Sequence, residues 1–280
     1  MPTRSIFISA DIEGCAGVAS QQALGPGEWE WQAAREWMTG EVAAACEAVL
    51  SAGYDEVIVA DGHGNAQNLM PERLPPRTRL VRSWPRPLLQ MEGVQEPSVE
   101  GCFFIGFHNG VQGHGGILAH TYHGGAIRDL RVNGESASEG YFNAALAGEL
   151  GKPVLLVTGD DAACGDAARY APQAVTCPVK TAIGWRAQTA MTPVEACAAI
   201  GSAAAAALDG GSGHTPFVIP APVEIEVEMT TRVAAEMLGY LRAVEPVGPY
   251  TIRTVCESMR EAMQFVSFLI LYSPTGKIAL

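Results

Sequence analysis

Positive charge is scarce in this chain, which carries 18 Lys and Arg against 30 Asp and Glu, for a formal net charge of -12. Proteins that bind nucleic acid or an anionic membrane surface need Lys and Arg to neutralise phosphates, so the composition argues against both kinds of partner. The sequence also contains no Walker-type or dinucleotide-binding glycine motif, which lowers the case for a phosphate-bearing cofactor.

Long apolar runs are lacking too. The best candidate for a membrane span, 265–272, is far shorter than the ~20 residues that a spanning helix needs. The apolar stretch before Asp11 is too short for a signal peptide. The seven cysteines are scattered singly, without CxxC pairs or disulfide-framework spacing, so a reducing cytoplasm is the predicted compartment.

What the chain does have is an alternation of strand-like runs and helical patterns, with 48% hydrophobic residues over 280 positions. This alternation predicts an α/β fold: an open, mostly parallel sheet flanked by helices, followed by a smaller C-terminal α+β unit. The glycine-rich break at 209–213 suggests two domains, 1–209 and 214–280. The first predicted strand begins at residue 5, and the other main strands cover 57–61, 102–107, 154–158, 223–228 and 250–255, with short strands within 117–135. The predicted helices cover 28–52, about 139–150, 193–208, 231–242 and 258–272.

Two carboxylates, Asp11 and Glu13, stand at the end of the first apolar run. A period of two would place both on one face of a strand, where buried unpaired carboxylates are costly unless cations or hydrogen-bond donors meet them. The alternative is that both residues cap the following helix. From this segment alone, the two interpretations have equal weight.

Histidines follow two of the predicted strands. His63 comes after 57–61 and His108 after 102–107. The carboxyl ends of parallel strands form one crevice in an open α/β sheet, so these side chains can converge with Asp11 and Glu13. Imidazole together with carboxylate suits zinc, and also manganese, cobalt or iron. Any one of these histidines could instead be a hydrogen-bonded structural residue.

A further carboxylate, Glu139, follows a predicted Asn133-Gly134 hairpin turn and falls in the first turn of the next helix, with Ser136 or Ser138 as its cap. A carboxylate there could be a ligand, or could simply interact favourably with the helix dipole.

Taken in order, several short motifs resemble the DppA-type zinc D-aminopeptidases. The resemblance covers residues 5 to about 200 well and the remainder loosely. The motifs that carry it are Asp11-x-Glu13-Gly14-x-x-Gly17, Asp61-Gly62-His63 with Asn68-Leu69, Gly106-Phe107-His108, Gly116-Ile117-Leu118-Ala119-His120, Glu139 with Asn143-Ala144, and Gly159-Asp160-Asp161.

The resemblance implies a metallo-aminopeptidase that hydrolyses the N-terminal amide bond of short peptides or amino-acid amides, with D-residues as the substrate class. It implies two Zn²⁺ ions per chain, with Mn²⁺ or Co²⁺ as substitutes, and His120 as the catalytic residue, acting as proton shuttle or nucleophile. It also implies a homo-oligomer, because the family forms large rings; a decamer is one such form. The implied metal ligands are Asp11, which would bridge the two ions, Glu13, His63, His108 and Glu139.

Other functions fit the same residues. A metal-dependent phosphoesterase would need basic groups near the centre, for which Lys180 and Arg128 are the candidates. An amidase without peptidase activity, or a non-catalytic metal- or peptide-binding module, is also compatible. The segment between His108 and His120 is one residue longer than the family pattern and carries His114, so a difference in substrate preference is expected there.

Overall fold

The computed structural model describes residues 3–209 and 213–275, which contain two β-sheets flanked by helices. The strands are β1 (Ser5–Ala10), β2 (Glu56–Asp61), β3 (Thr78–Val81), β4 (Val99–Phe107), β5 (Ile127–Val132), β6 (Glu135–Ser136), β7 (Val154–Asp160), β8 (Val175–Gly184), β9 (Ala187–Ala190), β10 (Val223–Met229), β11 (Glu245–Pro246) and β12 (Thr251–Cys256). The helices are α1 (Trp31–Ser51), α2 (Glu139–Glu149), α3 (Asp161–Asp166), α4 (Pro193–Asp209), α5 (Arg232–Leu238) and α6 (Met259–Leu271).

The larger sheet has the order β3-β2-β1-β4-β7-β8-β9 and is parallel except for the β8–β9 hairpin. This confirms the predicted α/β class. Alternate residues of β1 enter different cores: Ile6 and Ile8 lie in the core formed with α1 and α4, whereas Phe7 lies in the core formed with α2 and α6. A strand buried on both faces reads as a continuous apolar run, as the sequence suggested.

The topology fixes where a ligand can bind. The chain runs from β1 outward to β2 and β3, then returns to place β4 on the other side of β1. The carboxyl ends of β1 and β4 therefore border the crevice at which the strand order reverses, which is the usual ligand site of an open α/β sheet.

Helix α1 packs on one face of this sheet. It begins at Trp31, three residues later than predicted, and it buries an apolar stripe at helical spacing that includes Ala34, Met38 and Val42. The small residue Gly40, a weak point in the sequence pattern, lies against α4: a Cβ placed there would be 3.1 Å from Cys197 Sγ. The glycine thus lets the two helices approach closely.

The smaller sheet is antiparallel, with the order β11-β12-β10-β5-β6. It contains the predicted C-terminal strands and is accompanied by α5 and by α6, although α5 ends at Leu238 rather than at 242. The sheet also takes in β5 and β6, which precede the proposed domain boundary. The division into 1–209 and 214–280 stays a prediction, and residues 210–212 of its boundary lie outside the described residues.

In the described ranges, no helix is long and apolar enough to cross a membrane. All seven cysteines fall within the described part of the chain, and none of them forms a disulfide.

Candidate metal centre

Asp11 and Glu13 lie in the loop that follows β1, not on the strand. The strand ends at Ala10, so the prediction that both carboxylates share a strand face was wrong in this detail. They do not cap the next helix either, because α1 begins only at Trp31. The loop turns back sharply: a Cβ on Gly14 would lie 2.1 Å from the carbonyl oxygen of Phe107, so only glycine permits this approach to β4.

The other predicted site residues converge on this loop from four elements. His63 follows β2, His108 follows β4, and Glu139 is the first residue of α2, whose cap is Ser138. His120 lies in the segment between β4 and β5. All six side chains that the sequence singled out meet at one end of the larger sheet.

Within this cluster, ligand atoms form two triads that share Asp11. In each triad the atoms lie within 4.8 Å of one another: Asp11, Glu13 and His63 form one, and Asp11, His108 and Glu139 form the other. His63 Nδ1 is 2.7 Å from Glu13 Oε2 and 3.4 Å from Asp11 Oδ1. His108 Nε2 is 3.3 Å from Glu139 Oε1 and 3.6 Å from Asp11 Oδ2.

Backbone carbonyls orient all three imidazoles. His63 Nε2 donates to the Leu24 oxygen over 2.7 Å, and the Nδ1 atoms of His108 and His120 donate to Asn109 and Leu118 over 2.9 Å each. The opposite ring nitrogens are left facing the carboxylates. Such a second hydrogen bond is how proteins fix the tautomer of a metal-ligating histidine.

Burial and mutual charge shift the pKa values of the cluster strongly. Burial, with the nearby Glu13 carboxylate, raises the pKa of Asp11 to about 8. Burial would lower the pKa of His108, but Glu139 and the other carboxylates raise it to about 10. The pKa of Glu139 falls despite its burial, because His108 stabilises its charged form. The cluster is therefore built to hold cationic charge among three carboxylates.

His120 differs from its neighbours. Its ring stacks on that of His108 with centroids 4.2 Å apart and an interplanar angle of 8°. Its Nε2 lies 3.9 Å from both Glu13 and Glu139, further than the other histidines stand from their nearest carboxylates. Burial and the adjacent His108 lower the pKa of His120. The neutral form of its imidazole is therefore favoured, and Nε2 can accept a proton.

Several supporting residues carry no ligand-like signal in the sequence. Gln90 Nε2 donates to Glu139 Oε2 over 2.6 Å, and the backbone N–H of Tyr122 donates to Glu139 Oε1 over 2.7 Å. Asp160 accepts from the backbone N–H of Ile117 over 2.8 Å and so anchors the segment that carries His120. Asp160 belongs to one of the sequence motifs, Gly159-Asp160-Asp161, whereas Gln90 lies in a short 3-10 helix, Leu89–Met91, that no sequence pattern marks.

The basic residues considered for a phosphoesterase lie elsewhere. Lys180 is buried under the loop that follows β1, which we call the metal loop, and its ammonium donates there to the backbone oxygens of Glu13, Cys15 and Val18. Arg128 is exposed and pairs with Glu228 over 3.9 Å. His114, in the longer loop, is exposed.

The cluster opens into a cavity of about 630 Å³, which we call the inner cavity. Its walls include four of the predicted ligands, with His120, His123 and Trp185. Among the residues that the structure describes, no Lys or Arg lines it. The volume lies in the range typical of sites for small molecules.

A peptidase family model, described as D-aminopeptidase, matches residues 5–268. The chain belongs to the D-aminopeptidase family. Membership confirms the resemblance seen in the sequence motifs and makes the protein a hydrolase of the metallo-aminopeptidase class. A D-aminopeptidase of Bacillus subtilis (strain 168) is 28% identical over 260 residues, covering 92% of this chain and 94% of that protein.

A solved member of the D-aminopeptidase family has the same fold. The structure is that of the Zn-dependent D-aminopeptidase DppA from Bacillus subtilis, described as a self-compartmentalizing protease. It superposes with a TM-score of 0.90 at 27% sequence identity, and the match covers 95% of this chain and 96% of that one.

Proposed function

We propose that this protein is a dinuclear zinc aminopeptidase that removes the N-terminal residue, of D-configuration, from short peptides or amino-acid amides. The observation that carries the proposal is the pair of ligand triads joined by Asp11. A carboxylate with one oxygen toward each triad is the arrangement that two neighbouring cations require, and five ligands exceed what one tetrahedral zinc needs.

The donor set fits divalent cations. Glu13 Oε2 and His108 Nε2 are buried and have no hydrogen-bond partner, since the nearest neighbour of Glu13 Oε2 is His63 Nδ1, whose ring already donates from Nε2 to Leu24. Buried polar atoms in proteins are normally satisfied, so one such atom in each triad indicates a missing partner in both. Mixed carboxylate and imidazole donors favour zinc, and admit manganese or cobalt. The zinc dependence of the Bacillus subtilis relative supports the choice of metal.

Different residues of the chain would bind the metal ions and transfer the proton. Asp11, Glu13, His63, His108 and Glu139 would hold the cations, which supply Lewis-acid polarisation of the scissile carbonyl and of water. His120 would accept at Nε2 the proton that the attacking water loses, while its Nδ1–H remains bonded to the Leu118 oxygen. Glu13 and Glu139 each place a carboxylate oxygen 3.9 Å from Nε2 and would stabilise the imidazolium that forms. His120 then returns the proton to the leaving amine.

The alternatives receive less support. A phosphoesterase would need cationic side chains facing the substrate, and the described lining of the inner cavity has none. A silent binding module would not need a half-buried histidine that lines the inner cavity beside the ligands. Activity restricted to amides is the second candidate, because the inner cavity alone is large enough for one amino-acid amide.

One experiment tests the proposal directly. Metal analysis of the purified protein should find about two divalent ions per chain, and a chelator should abolish hydrolysis of D-aminoacyl p-nitroanilides, amides and dipeptides. The L-series serves as the stereochemical control. Asp11→Ala should lose both metal uptake and hydrolysis, whereas Cys15→Ala, in the same loop, should keep most activity. A stoichiometry of one or none would contradict the dinuclear centre.

A further inference from the structure

A second cavity of about 360 Å³ adjoins the inner cavity, and we call it the outer cavity. The two share three wall residues, Val111, Ala119 and Trp185. Ala119 directly precedes His120, so the shared wall stands beside the catalytic histidine. A substrate held at the metal centre can therefore extend from the inner cavity into the outer one.

The outer cavity differs chemically from the inner one. Its described walls hold no ionisable side chain: they consist of glycines, such as Gly116 and Gly184, together with Ala182, Ile183 and the three shared residues. Ile183 and Trp185 are 73% and 51% exposed, so both present apolar surface that a ligand in the outer cavity could cover. An apolar side chain would be stabilised there, and an ionised side chain would find no partner.

The walls are held in place by specific hydrogen bonds. The N–H of Leu118 donates to the Trp185 oxygen over 2.9 Å and ties the His120 segment to the β8–β9 hairpin. On the other side, the N–H of Ala182 donates to Asp161 Oδ1 over 3.0 Å. The outer cavity is thus formed by two segments joined to each other and to α3.

We propose that the outer cavity binds the residue that follows the scissile bond and selects an apolar side chain at that position. The proposal rests on the proposed aminopeptidase function and extends it to the second residue of the substrate. In this proposal, Ile183 and Trp185 contact the substrate, because the outer cavity adjoins the inner cavity through a shared wall.

Gly184→Leu tests this assignment by filling the outer cavity. A Cβ at Gly184 meets no atom within 4 Å and the backbone is not left-handed, so the substitution can be made without strain. Gly165→Leu is the matched control, because Gly165 is equally open but belongs to α3, outside both cavities. The substrates are D-alaninamide, which has no second residue, and the dipeptides D-Ala-Gly and D-Ala-D-Leu, assayed with zinc-loaded enzyme.

The unmodified enzyme should cleave D-Ala-D-Leu with a higher kcat/KM than D-Ala-Gly. Gly184→Leu should lower kcat/KM for D-Ala-D-Leu by about tenfold or more, mainly through KM, and leave D-alaninamide almost unaffected. Gly165→Leu should change neither. An equal loss on all three substrates, or no loss, would overturn the proposal.

Two other outcomes are separable. If Gly184→Leu alters the mass in light scattering but leaves the substrate ratio unchanged, Ile183 and Trp185 form a contact between copies of the chain, and the assignment of the outer cavity is wrong. If the unmodified zinc-loaded enzyme fails on D-alaninamide and on both dipeptides, the aminopeptidase function itself fails, and the proposed cavity falls with it.

Discussion

Of the three histidines in the cluster, only His120 has a lowered pKa, whereas the pKa values of His63 and His108 are raised. The difference follows from position. His63 and His108 each approach a carboxylate closely, whereas His120 stacks on another imidazole and stands further from both glutamates. Under the proposed function, the same residue type would bind cations in two places and transfer a proton in the third.

His120→Ala should retain both metal ions but lose about 10²–10⁴-fold in kcat, because proton transfer by a positioned side chain contributes that much. Metal analysis and turnover of D-aminoacyl p-nitroanilides measure the two effects separately. His114→Ala, a change to the exposed histidine of the same segment, is the control and should keep near-normal turnover. Normal turnover in the His120 variant would leave His120 a structural role only.

Lys180→Met should weaken zinc binding, because the buried ammonium holds three backbone oxygens of the loop that carries Glu13. Removing it leaves the backbone oxygens of Glu13 and Val18 unsatisfied, at about 1–3 kcal/mol each, whereas the oxygen of Cys15 still accepts from the N–H of Val18 over 3.2 Å. Zinc affinity is measured by competition with a chelator. Lys152→Met is the matched control, because its ammonium donates to the Val99 oxygen away from the site. Equal losses of affinity in the two variants would reduce Lys180 to general stability.

Site residues that follow a strand or begin a helix can be found from the sequence, whereas those that act through contacts between distant segments cannot. Asp11, His63 and His108 could be found because each follows an apolar strand, and parallel strands deliver their carboxyl ends to one edge. Glu139 could be placed through its helix cap. Gln90 and Tyr122 support Glu139 through contacts between distant segments, and no local pattern encodes such contacts. The sequence suggested Lys180 as a candidate basic group near the centre, but its partners are backbone oxygens that only the folded loop presents.

At the scale of elements, β8 and β9 were not predicted. Pro178 lies within β8, and proline cannot donate to a strand ladder. It is accommodated because it lies opposite Gly159 in the part of β8 that pairs with β7, before the antiparallel register with β9 begins at Lys180. The Asn133-Gly134 turn, by contrast, was predicted correctly, and both residues adopt positive φ.

Helix α1 places one carboxylate, Glu41, in the core beneath the metal loop. Burial raises its pKa from 4.5 to about 7, although the N–H of Ala16 donates to it over 2.8 Å. Because the folded state binds the proton more tightly than the unfolded state, this group's contribution to stability falls as pH rises from 4.5 through 7.

Glu41→Gln should remove that dependence. The unfolding free energy of the unmodified protein, relative to the variant, should be about 2 kcal/mol greater at pH 5 than at pH 8. Urea unfolding at the two pH values measures it, and Glu47→Gln, a change to an exposed glutamate of the same helix, is the control for losing one carboxylate. A difference that is independent of pH would contradict the buried, raised pKa.

At the scale of the whole molecule, the surface of α5 is a better candidate than α6 for contacts in the expected homo-oligomer. Most of the apolar residues of α6 pack within the chain, so that helix needs no partner. The exposed apolar side chains Val233, Met237 and Tyr240 recur at helical spacing on and just after α5. The description of the Bacillus subtilis relative as self-compartmentalizing supports assembly of this chain as well.

Light scattering should therefore report a mass several times 29.5 kDa, with a decamer as one form of the ring. Met237→Glu should reduce that mass, because a charge in an apolar contact is costly. Val194→Glu, at an exposed apolar position on α4, controls for the added charge. An active species of 29.5 kDa would contradict the assembly.

The pairing of β5 with β10 has a consequence for any attempt to divide the protein. Val132 faces Ile225 and Leu130 faces Val227 across the ladder, so each side of residue 210 supplies strands to the same sheet. A chain cut there would yield two pieces with complementary open edges. Co-expressed as separate polypeptides, 1–209 and 214–280 should recombine and restore hydrolysis, whereas 1–209 alone should aggregate through the edge of β5.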